Sequence, residues 1–198
     1  MIITPDQKKL LISPETKAIK SWIQNAPLEL EIGCGKGRFI LNKAKASPET
    51  YHIGLDWSWK WMRMGLDKCL SKDVQNIRFH RGEAFEFLEK TLWEKSLLAC
   101  HAYFSDPWPK KKHHKRRLIT PAFIDMAYSR LSTGGKLMLS TDFLTYYTSI
   151  QNAIYTAKAS WSSILQTNSR QSFLECKTNY EIKYEKESRL LSFITLTK

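Results

Sequence analysis

A glycine-rich stretch follows a short apolar run early in the chain and reads Glu31-Ile32-Gly33-Cys34-Gly35-Lys36-Gly37. Such a loop between a strand and a helix directs backbone N–H groups and the helix dipole at a ligand. Asp56 ends the next apolar run, where a carboxylate can accept hydrogen bonds from both hydroxyls of an adenosine ribose. A bare Gly-x-Gly also occurs in tight turns that bind nothing, so the prediction of an adenosine cofactor depends on Asp56 as well.

The spacing of the glycines distinguishes between two adenosine cofactors, NAD and S-adenosylmethionine. A dinucleotide fingerprint needs Gly-x-Gly-x-x-Gly, whereas this chain has Gly33, Gly35 and Gly37, with Arg38 where the third glycine of that fingerprint would stand. Glu31 is unfavourable beside a pyrophosphate, but its carboxylate can meet the cationic amino-acid end of S-adenosylmethionine. These residues favour S-adenosylmethionine over NAD.

A third acid, Glu83, follows the next predicted strand. At the sheet edge its carboxylate would receive the adenine amine. The alternative is that Glu83 caps the helix that begins there, since acids are favoured in that position. The sequence leaves both interpretations open.

Another acid, Asp106, stands at the end of a later apolar run, in Ser105-Asp106-Pro107-Trp108-Pro109. The two prolines restrict the backbone to an extended turn, and ligands of open α/β sheets bind at the ends of such strands. A ligand at this rim would therefore meet the carboxylate of Asp106. Trp108 offers a flat surface for base stacking, or else it fills the core beneath the loop.

A basic run follows directly, and within it Lys110, Lys111, Lys112, Lys115, Arg116 and Arg117 carry six positive charges without an acid. The whole chain has 31 Lys and Arg against 19 Asp and Glu, a net charge of +12. A charge run is usually a solvated face, but this one adjoins the predicted site. We therefore expect these side chains to contact the phosphates of a nucleic acid, with a salt-dependent affinity.

The composition also bears on membrane partners, cellular location and metal sites. No apolar run approaches the roughly 20 residues of a spanning helix, and the first residues lack the order of a signal peptide. This predicts no membrane partner and a cytoplasmic location. The four cysteines lie too far apart for a zinc knuckle, and no metal site is predicted.

Strand-length and helix-length segments alternate from residue 28 onward, which predicts an α/β fold with a mostly parallel twisted sheet and helices on both faces. Predicted strands cover 28–32, 51–55, 76–80, 99–104 and 135–140, and predicted helices cover 36–47, 58–72, 83–95, 118–131 and 143–159. The apolar residues after Leu191 indicate a last strand, and Trp161, Ile164 and Leu165 suggest another. Residues 1–27 are expected to form an arm and a helix packed on a single domain at 28–198.

The chain resembles the bacterial tRNA (guanine-N7)-methyltransferases. The similarity lies in LELEIGCGKGRF, GLDWS, FSDPWPKKKHHKRRL, STDFLTYY and TNYEIKYE, in that order along the chain. It implies a Rossmann-like, S-adenosylmethionine-dependent methyltransferase fold, with a guanine of the tRNA variable loop as the substrate. The Asp-Pro-Trp segment with its basic continuation is the most specific of these motifs.

Carried over residue by residue, the resemblance assigns two sets of contacts. Those to S-adenosylmethionine are Glu31, Gly33, Gly35, Asp56, Glu83 and Asp106, and those to tRNA are Lys110, Asp142, Thr178, Asn179, Tyr180 and Glu181. The family usually has Asp or Asn at position 83 and a glycine in the tail after Lys183. This chain departs from both patterns.

Guanine N7 attacks a methyl group without losing a proton first, so the predicted enzyme needs alignment rather than a general base. A carboxylate would stabilise the cationic product ring, and Asp106 and Asp142 are both candidates for this role. Trp108 or Tyr180 would stack on the base. Two other functions stay open: methylation of an exocyclic base amine, and RNA binding without catalysis over a degenerate cofactor site.

Overall fold

The computed structural model describes residues 3–168 and 176–198, and these form a seven-stranded sheet. The strands are β1 (Leu28–Ile32), β2 (Tyr51–Asp56), β3 (Ile77–Arg81), β4 (Leu97–Tyr103), β5 (Leu131–Thr141), β6 (Ser163–Thr167) and β7 (Ser192–Thr197). Their order is β3-β2-β1-β4-β5-β7-β6. Strands β1 to β5 are parallel, and β7 is antiparallel to both of its neighbours. The predicted mostly parallel α/β sheet is confirmed.

Helices cover both faces of this sheet. They are α1 (Pro5–Lys9), α2 (Thr16–Ile23), α3 (Arg38–Ala46), α4 (Trp59–Leu70), α5 (Ala84–Lys90), a 3-10 helix (Lys111–Arg116), α6 (Pro121–Arg130), α7 (Leu144–Thr156) and α8 (Asn179–Lys186). Apolar side chains of α2, α5, α6 and α7 share one core, and those of α3 and α4 belong to a second core on the opposite face. Within the described ranges, no helix combines the length and the apolar character needed to span a bilayer.

The pleat of β1 divides its side chains between the two cores. Leu28, Leu30 and Ile32 are buried in the core shared with α2, α5, α6 and α7. Glu29 and Glu31 alternate with them and contact residues of α3 on the other face. Each fully buried Leu or Ile contributes roughly 1.5–3 kcal/mol to folding. The apolar half of β1 therefore anchors the strand that carries both acids.

The segment before β1 packs on the domain and covers a sheet edge. The Ile12 N–H donates to the Phe79 carbonyl, and the Phe79 N–H donates to the Leu10 carbonyl, at 2.9 and 2.7 Å. These bonds pair the segment with β3, the outer strand on this side of the sheet. Gln7 of α1 donates to Asp67 of α4 at 2.6 Å. The outer edge of β3 is thus paired rather than open.

Several element boundaries differ from the predicted ones. The fourth strand was expected to include Phe104, but this residue has a φ of 51° and lies just beyond β4. The helix expected from residue 118 begins at Pro121, because the Thr120 hydroxyl accepts the Phe123 N–H as its N-cap. The short helix α1, the 3-10 helix and α8 were not predicted.

A buried polar cluster lies on the α3 face of the sheet. Nε2 of His101 is 2.9 Å from a carboxylate oxygen of Glu29, and Nζ of Lys43 is 3.2 Å from the other. Burial by itself would raise the pKa of Glu29, but the His101 hydrogen bond and the charges of His101, Lys43 and His52 lower it to about 2. Burial lowers the pKa of the neighbouring His52 to about 4.

The His52 environment predicts a stability loss in mild acid. Unfolded His52 takes up a proton near its ordinary pKa of 6.5, whereas folded His52 resists protonation until about 4. Its contribution to stability is therefore complete above pH 6.5 and decreases as the pH falls toward 4, by about 2–3 kcal/mol at pH 4.5. We expect His52→Gln to flatten the decrease of the unfolding free energy between pH 7 and 4.5, as measured by urea titration.

The matched control is His113→Gln, because His113 is only half-buried, in the basic run, and lacks the fully buried environment of His52. It should retain the wild-type pH dependence. An unaltered slope in His52→Gln would show that other groups cause the acid destabilisation. Glu29 does not confuse the result, since its own pKa shift acts below pH 4.5.

Candidate active site

A cavity of about 250 Å³ opens beside the carboxyl end of β1. Its lining joins the loop between β1 and α3 to the start of α8 and consists of Glu31, Gly33, Cys34, Gly35, Lys36, Arg38, Phe39, Trp61, Tyr103, Thr178, Asn179, Tyr180 and Lys183. Two predicted sets of residues meet here. The glycine loop is predicted to bind the cofactor and residues 178–181 the substrate, and of the latter 178–180 line the cavity.

Asp56 holds the glycine loop in place from the end of β2. One of its carboxylate oxygens accepts the Gly35 N–H at 2.7 Å, and the other accepts the Ser58 N–H at 2.6 Å. Gly33 and Gly35 have φ angles of 75° and 52°, a conformation that side-chain-bearing residues rarely adopt. A Cβ added at either position would meet no heavy atom within 4 Å. The loop backbone therefore faces open space.

Glu31 is buried, with 4% of its surface exposed, at the wall of this cavity. One of its oxygens accepts the N–H of Ile40 in the first turn of α3 at 3.2 Å. Burial, with the charges of Glu31 and Asp56, raises the pKa of the Cys34 thiol well above its ordinary value. Cys34 therefore remains a protonated thiol and contributes no charge or nucleophile to the cavity.

Glu83 lies apart from the cavity that Glu31 lines. Its carboxylate accepts the Glu86 N–H at 2.8 Å, so it caps α5, which was one of its two predicted roles. It also lines a second cavity of about 410 Å³ together with Trp57, His80 and Arg81. That cavity lies beyond the ends of β2 and β3, on the Asp56 side of the glycine loop.

Two positive φ angles shape the loop that carries Asp106. Phe104 and Trp108 have φ angles of 51° and 43°, so the chain turns sharply both before and after the acid. The Ser105 hydroxyl lies 3.2 Å from the phenol oxygen of buried Tyr146 in α7. Asp106 itself is exposed. The turn thus presents an accessible carboxylate at the end of β4.

Arg117 is the least accessible cation of the basic run. Only 8% of the residue is exposed. Its Nε donates to the Pro107 carbonyl at 2.8 Å, and its guanidinium lies 5.0 Å from the centre of the Tyr146 ring. These interactions hold the guanidinium against the loop as a brace, and the phosphate contact of Arg117 stays a prediction.

The other five cations of the basic run remain available to solvent. Lys110, Lys111, Lys112, Lys115 and Arg116 are exposed on or beside the 3-10 helix. Trp108 is half-buried between two members of this segment, with Arg116 at 4.9 Å and His113 at 5.7 Å from its ring centre. Trp108 thus packs within the basic segment itself.

The predicted substrate stretch forms the beginning of α8. Thr178 and Glu181 make a reciprocal capping box, since each side chain accepts the backbone N–H of the other. Both residues are buried, whereas Asn179 and Tyr180 are exposed at the cavity. Thr178 and Glu181 therefore position the two exposed side chains that line the cavity.

Asp142, at the end of β5, is joined to the segment that follows α8. Its Oδ2 accepts a hydrogen bond from the Arg189 guanidinium at 2.7 Å. Arg189 also pairs with Glu187 at 2.7 Å and lies 4.4 Å from the centre of the Tyr184 ring. Asp142 and Tyr184 therefore both contact the planar guanidinium of Arg189.

Sequence reasoning missed several residues around these sites. The Thr-x-x-Glu pattern at Thr178 is a capping signal that would have revealed α8. Lys183, four positions after Asn179, lies on the same helix face as Asn179. Trp61 and Tyr103 line the cavity without a local motif. Arg189 contacts Asp142 across 47 positions, a separation at which no sequence pattern marks the pair. Among residues 3–168 and 176–198, no group of three or more His, Cys, Asp or Glu could hold a metal ion.

Comparison with known proteins establishes the class of the fold. A family model described as "Putative methyltransferase" matches residues 25–192. A solved structure described as "Structure of an Antibiotic Related Methyltransferase" aligns with a TM-score of 0.67 over 100% of this chain and 99% of that chain, at 13% identity. The chain has the Rossmann-like fold of the S-adenosylmethionine-dependent methyltransferases, as predicted.

Relatives in sequence identify the family. The tRNA (guanine-N(7)-)-methyltransferase of Chromohalobacter salexigens is 40% identical over 62% of this chain and 50% of the relative. The protein of the same name from Listeria welshimeri is 35% identical over 81% of this chain and 75% of the relative. The chain belongs to the tRNA (guanine-N7)-methyltransferase family. It spans half to three quarters of the length of these two relatives.

The buried position of Arg117 leads to a stability prediction. Arg117→Met should lower the free energy of unfolding by about 1.5–3 kcal/mol, because a charged hydrogen bond to the Pro107 carbonyl is lost. Lys115→Met, an exposed cation in the same run, should change it by less than about 0.5 kcal/mol. Urea unfolding measures both variants, and equal effects would contradict the bracing role.

Proposed function

We propose that this protein transfers the methyl group of S-adenosylmethionine to N7 of a guanine in the variable loop of tRNA, giving 7-methylguanosine. One observation carries the proposal: the glycine loop after β1 and the start of α8 line the same cavity. Family membership supports the same activity. A tRNA substrate also agrees with the cytoplasmic location predicted from the sequence.

The residues around the glycine loop fit the methyl donor. Gly33 and Gly35 leave the space in front of the loop open. Glu31 supplies a buried carboxylate for the ammonium group of the methionine portion. Each Asp56 oxygen accepts one backbone N–H and retains a lone pair for a ribose hydroxyl. Glu83 lines the neighbouring cavity, from which its carboxylate would meet the adenine amine.

When bound, S-adenosylmethionine supplies an electrophilic methyl group to guanine N7 and leaves as S-adenosylhomocysteine. The in-plane lone pair of N7 needs no deprotonation, so the protein contributes by aligning the base and excluding water. Asp106 presents an accessible carboxylate on a turn at the end of β4. This carboxylate stabilises the positive charge that develops on the purine ring.

The substrate is held from two directions in this proposal. Asn179 and Tyr180 reach the base from α8, where Tyr180 provides a stacking surface with 54% of its area exposed. Lys110, Lys111 and Lys112 hold the phosphates of the variable loop, together with Lys115 and Arg116. Asp142 accepts hydrogen bonds from the guanine edge.

The reaction and the role of Asp106 can be tested together. Incubation of the protein with tRNA and S-adenosylmethionine should give 7-methylguanosine in the variable loop, identified by mass analysis of digested tRNA. Asp106→Asn should lower the turnover at least about 100-fold, the size of one lost preorganised electrostatic contact. Retention of tRNA on a filter should stay near the wild-type level.

Asp73→Asn provides the control, because Asp73 is an exposed acid of the turn after α4. It should leave turnover unchanged. An amine-methylated adenosine or cytidine as the product would refute the proposed reaction. Near-normal turnover in Asp106→Asn would refute only the role of that carboxylate.

The basic run predicts a specific salt dependence. Simultaneous replacement of Lys110, Lys111 and Lys112 by Ala should weaken tRNA binding. It should also make the slope of log affinity against log salt less steep by about 2–3, since each phosphate contact contributes about 0.7–0.9. Binding is measured by filter retention at about 50–250 mM salt, a range that brackets the physiological ionic strength of about 150 mM.

A triple variant of equal charge change separates local contacts from net charge. Lys8, Lys72 and Lys158 are exposed outside the basic run, and their replacement by Ala removes the same three charges. This variant should keep most of the wild-type slope. The same slope change in both triple variants would show that the basic run affects tRNA binding only through the net charge of the protein.

A further inference from the structure

Arg189 is held in a planar site between an acid and an aromatic ring. Its guanidinium carbon lies 4.4 Å from the centre of the Tyr184 ring, and one terminal nitrogen donates to Asp142 Oδ2 at 2.7 Å. Its Nε donates to Glu187 at 2.7 Å. The side chain of Asp142 is 14% exposed, whereas that of Arg189 is 45% exposed. The acid is thus largely covered, and the cation reaches it from the solvent side.

The ring on which Arg189 lies belongs to an aromatic series that leads to the cavity. Tyr184 is 5.7 Å from Tyr180 between ring centres, and Tyr180 lines the cavity. Phe104 packs edge-on against Tyr184 at 5.5 Å and comes two residues before Asp106. The site that Arg189 occupies therefore lies beside the cavity and beside the loop that carries Asp106.

A guanidinium and the edge of guanine have the same recognition chemistry. Guanine presents N1–H and the N2 amino group as two adjacent donors in one plane, and a carboxylate accepts such a pair as it accepts an arginine. Both groups are flat and stack on aromatic rings. Adenine and cytosine lack this pair of adjacent donors. An Asp142–Tyr184 site that accepts a guanidinium is thus also suited to guanine.

We propose that Asp142 and Tyr184 form the guanine-binding site and that Arg189 occupies it as an internal substitute, which the substrate base must displace. This inference rests on the proposed function and extends it to the way the base is selected. Glu187 retains the displaced Arg189 side chain near the site. The Asp142–Tyr184 pair then distinguishes guanine by the N1–H and N2 donors, while N7 on the opposite side of the purine remains free to react.

The partial burial of Asp142 and Tyr184 agrees with a binding site for an uncharged base. Burial raises the pKa of Tyr184, and the negative charge of Asp142 raises it further. The phenol therefore stays neutral at physiological pH and offers an uncharged stacking surface. Hydrogen bonding to Asp142 raises the pKa of Arg189, so the internal substitute stays charged at every pH at which the enzyme would work.

Kinetics of Arg189→Met test the displacement. Methionine keeps an aliphatic stem at this position and removes the competing guanidinium, so the KM for tRNA should fall about 3-fold to 10-fold with kcat nearly unchanged. Arg189→Lys, which keeps the charge without the planar donors, should give an intermediate KM. A raised KM in Arg189→Met would overturn the proposal, since it would show that Arg189 helps to bind the substrate.

A binding measurement tests the site independently of methyl transfer. Methylguanidinium and guanosine should bind Arg189→Met at least 10-fold more tightly than the wild-type protein, as followed by NMR titration. Inosine, which lacks the N2 amino group, should bind Arg189→Met more weakly than guanosine. The double variant Arg189→Met with Asp142→Asn should lose the gain. Equal binding of methylguanidinium to Arg189→Met and wild type would overturn the proposal.

The two measurements also separate this inference from the proposed function. If no variant and no wild-type sample forms 7-methylguanosine, the proposed function fails, and the binding titration still decides whether Asp142 and Tyr184 select guanine. If 7-methylguanosine forms normally but the titration shows no difference, only the displacement by Arg189 fails. Circular dichroism of each variant verifies that it is folded.

Discussion

Parallel pairing of β1 with β2 and β4 is the constraint on which the site depends. The register sets Glu31 level with Gly54 on one side and with His101 on the other, so the three strands end at the same edge of the sheet. The loops that follow them must then share one rim. The Gly35 N–H bond to Asp56 joins two of these loops directly. The cavity exists because neighbouring strands deliver their polar ends together.

The burial of Glu29 in β1 is compensated by polar partners on the α3 face of the sheet. Burying a carboxylate is unfavourable unless hydrogen bonds and opposite charges compensate. Glu29 obtains both from His101 and Lys43, and His101 in turn lies 2.9 Å from the phenol oxygen of Tyr103 at the cavity wall. The packing beneath the cavity is thus polar and ordered. This order fixes the wall against which the methyl donor is proposed to bind.

The far side of the cavity comes from the end of the chain. Helix α8 is stabilised locally by its Thr178–Glu181 capping box and is positioned by the contact of Tyr184 with Phe104. Arg189 then connects the segment after α8 to Asp142 at the end of β5. These contacts couple α8, the proposed substrate side of the cavity, to the strand ends. The Arg189–Asp142 ion pair therefore links the proposed base-binding acid directly to the segment that follows α8.

The sequence by itself determined the fold class, the glycine loop with its two acids, and the basic run, because each depends on local spacing and periodicity. It did not reveal that Arg117 is buried while its neighbours are exposed, since burial depends on where Pro107 and Tyr146 lie in space. Nor did it reveal α8 as the other wall of the cavity, or the pairing of Asp142 with Arg189. Only the tertiary structure decided these features, because side chains far apart in the chain meet only when the sheet brings their strand ends to one edge.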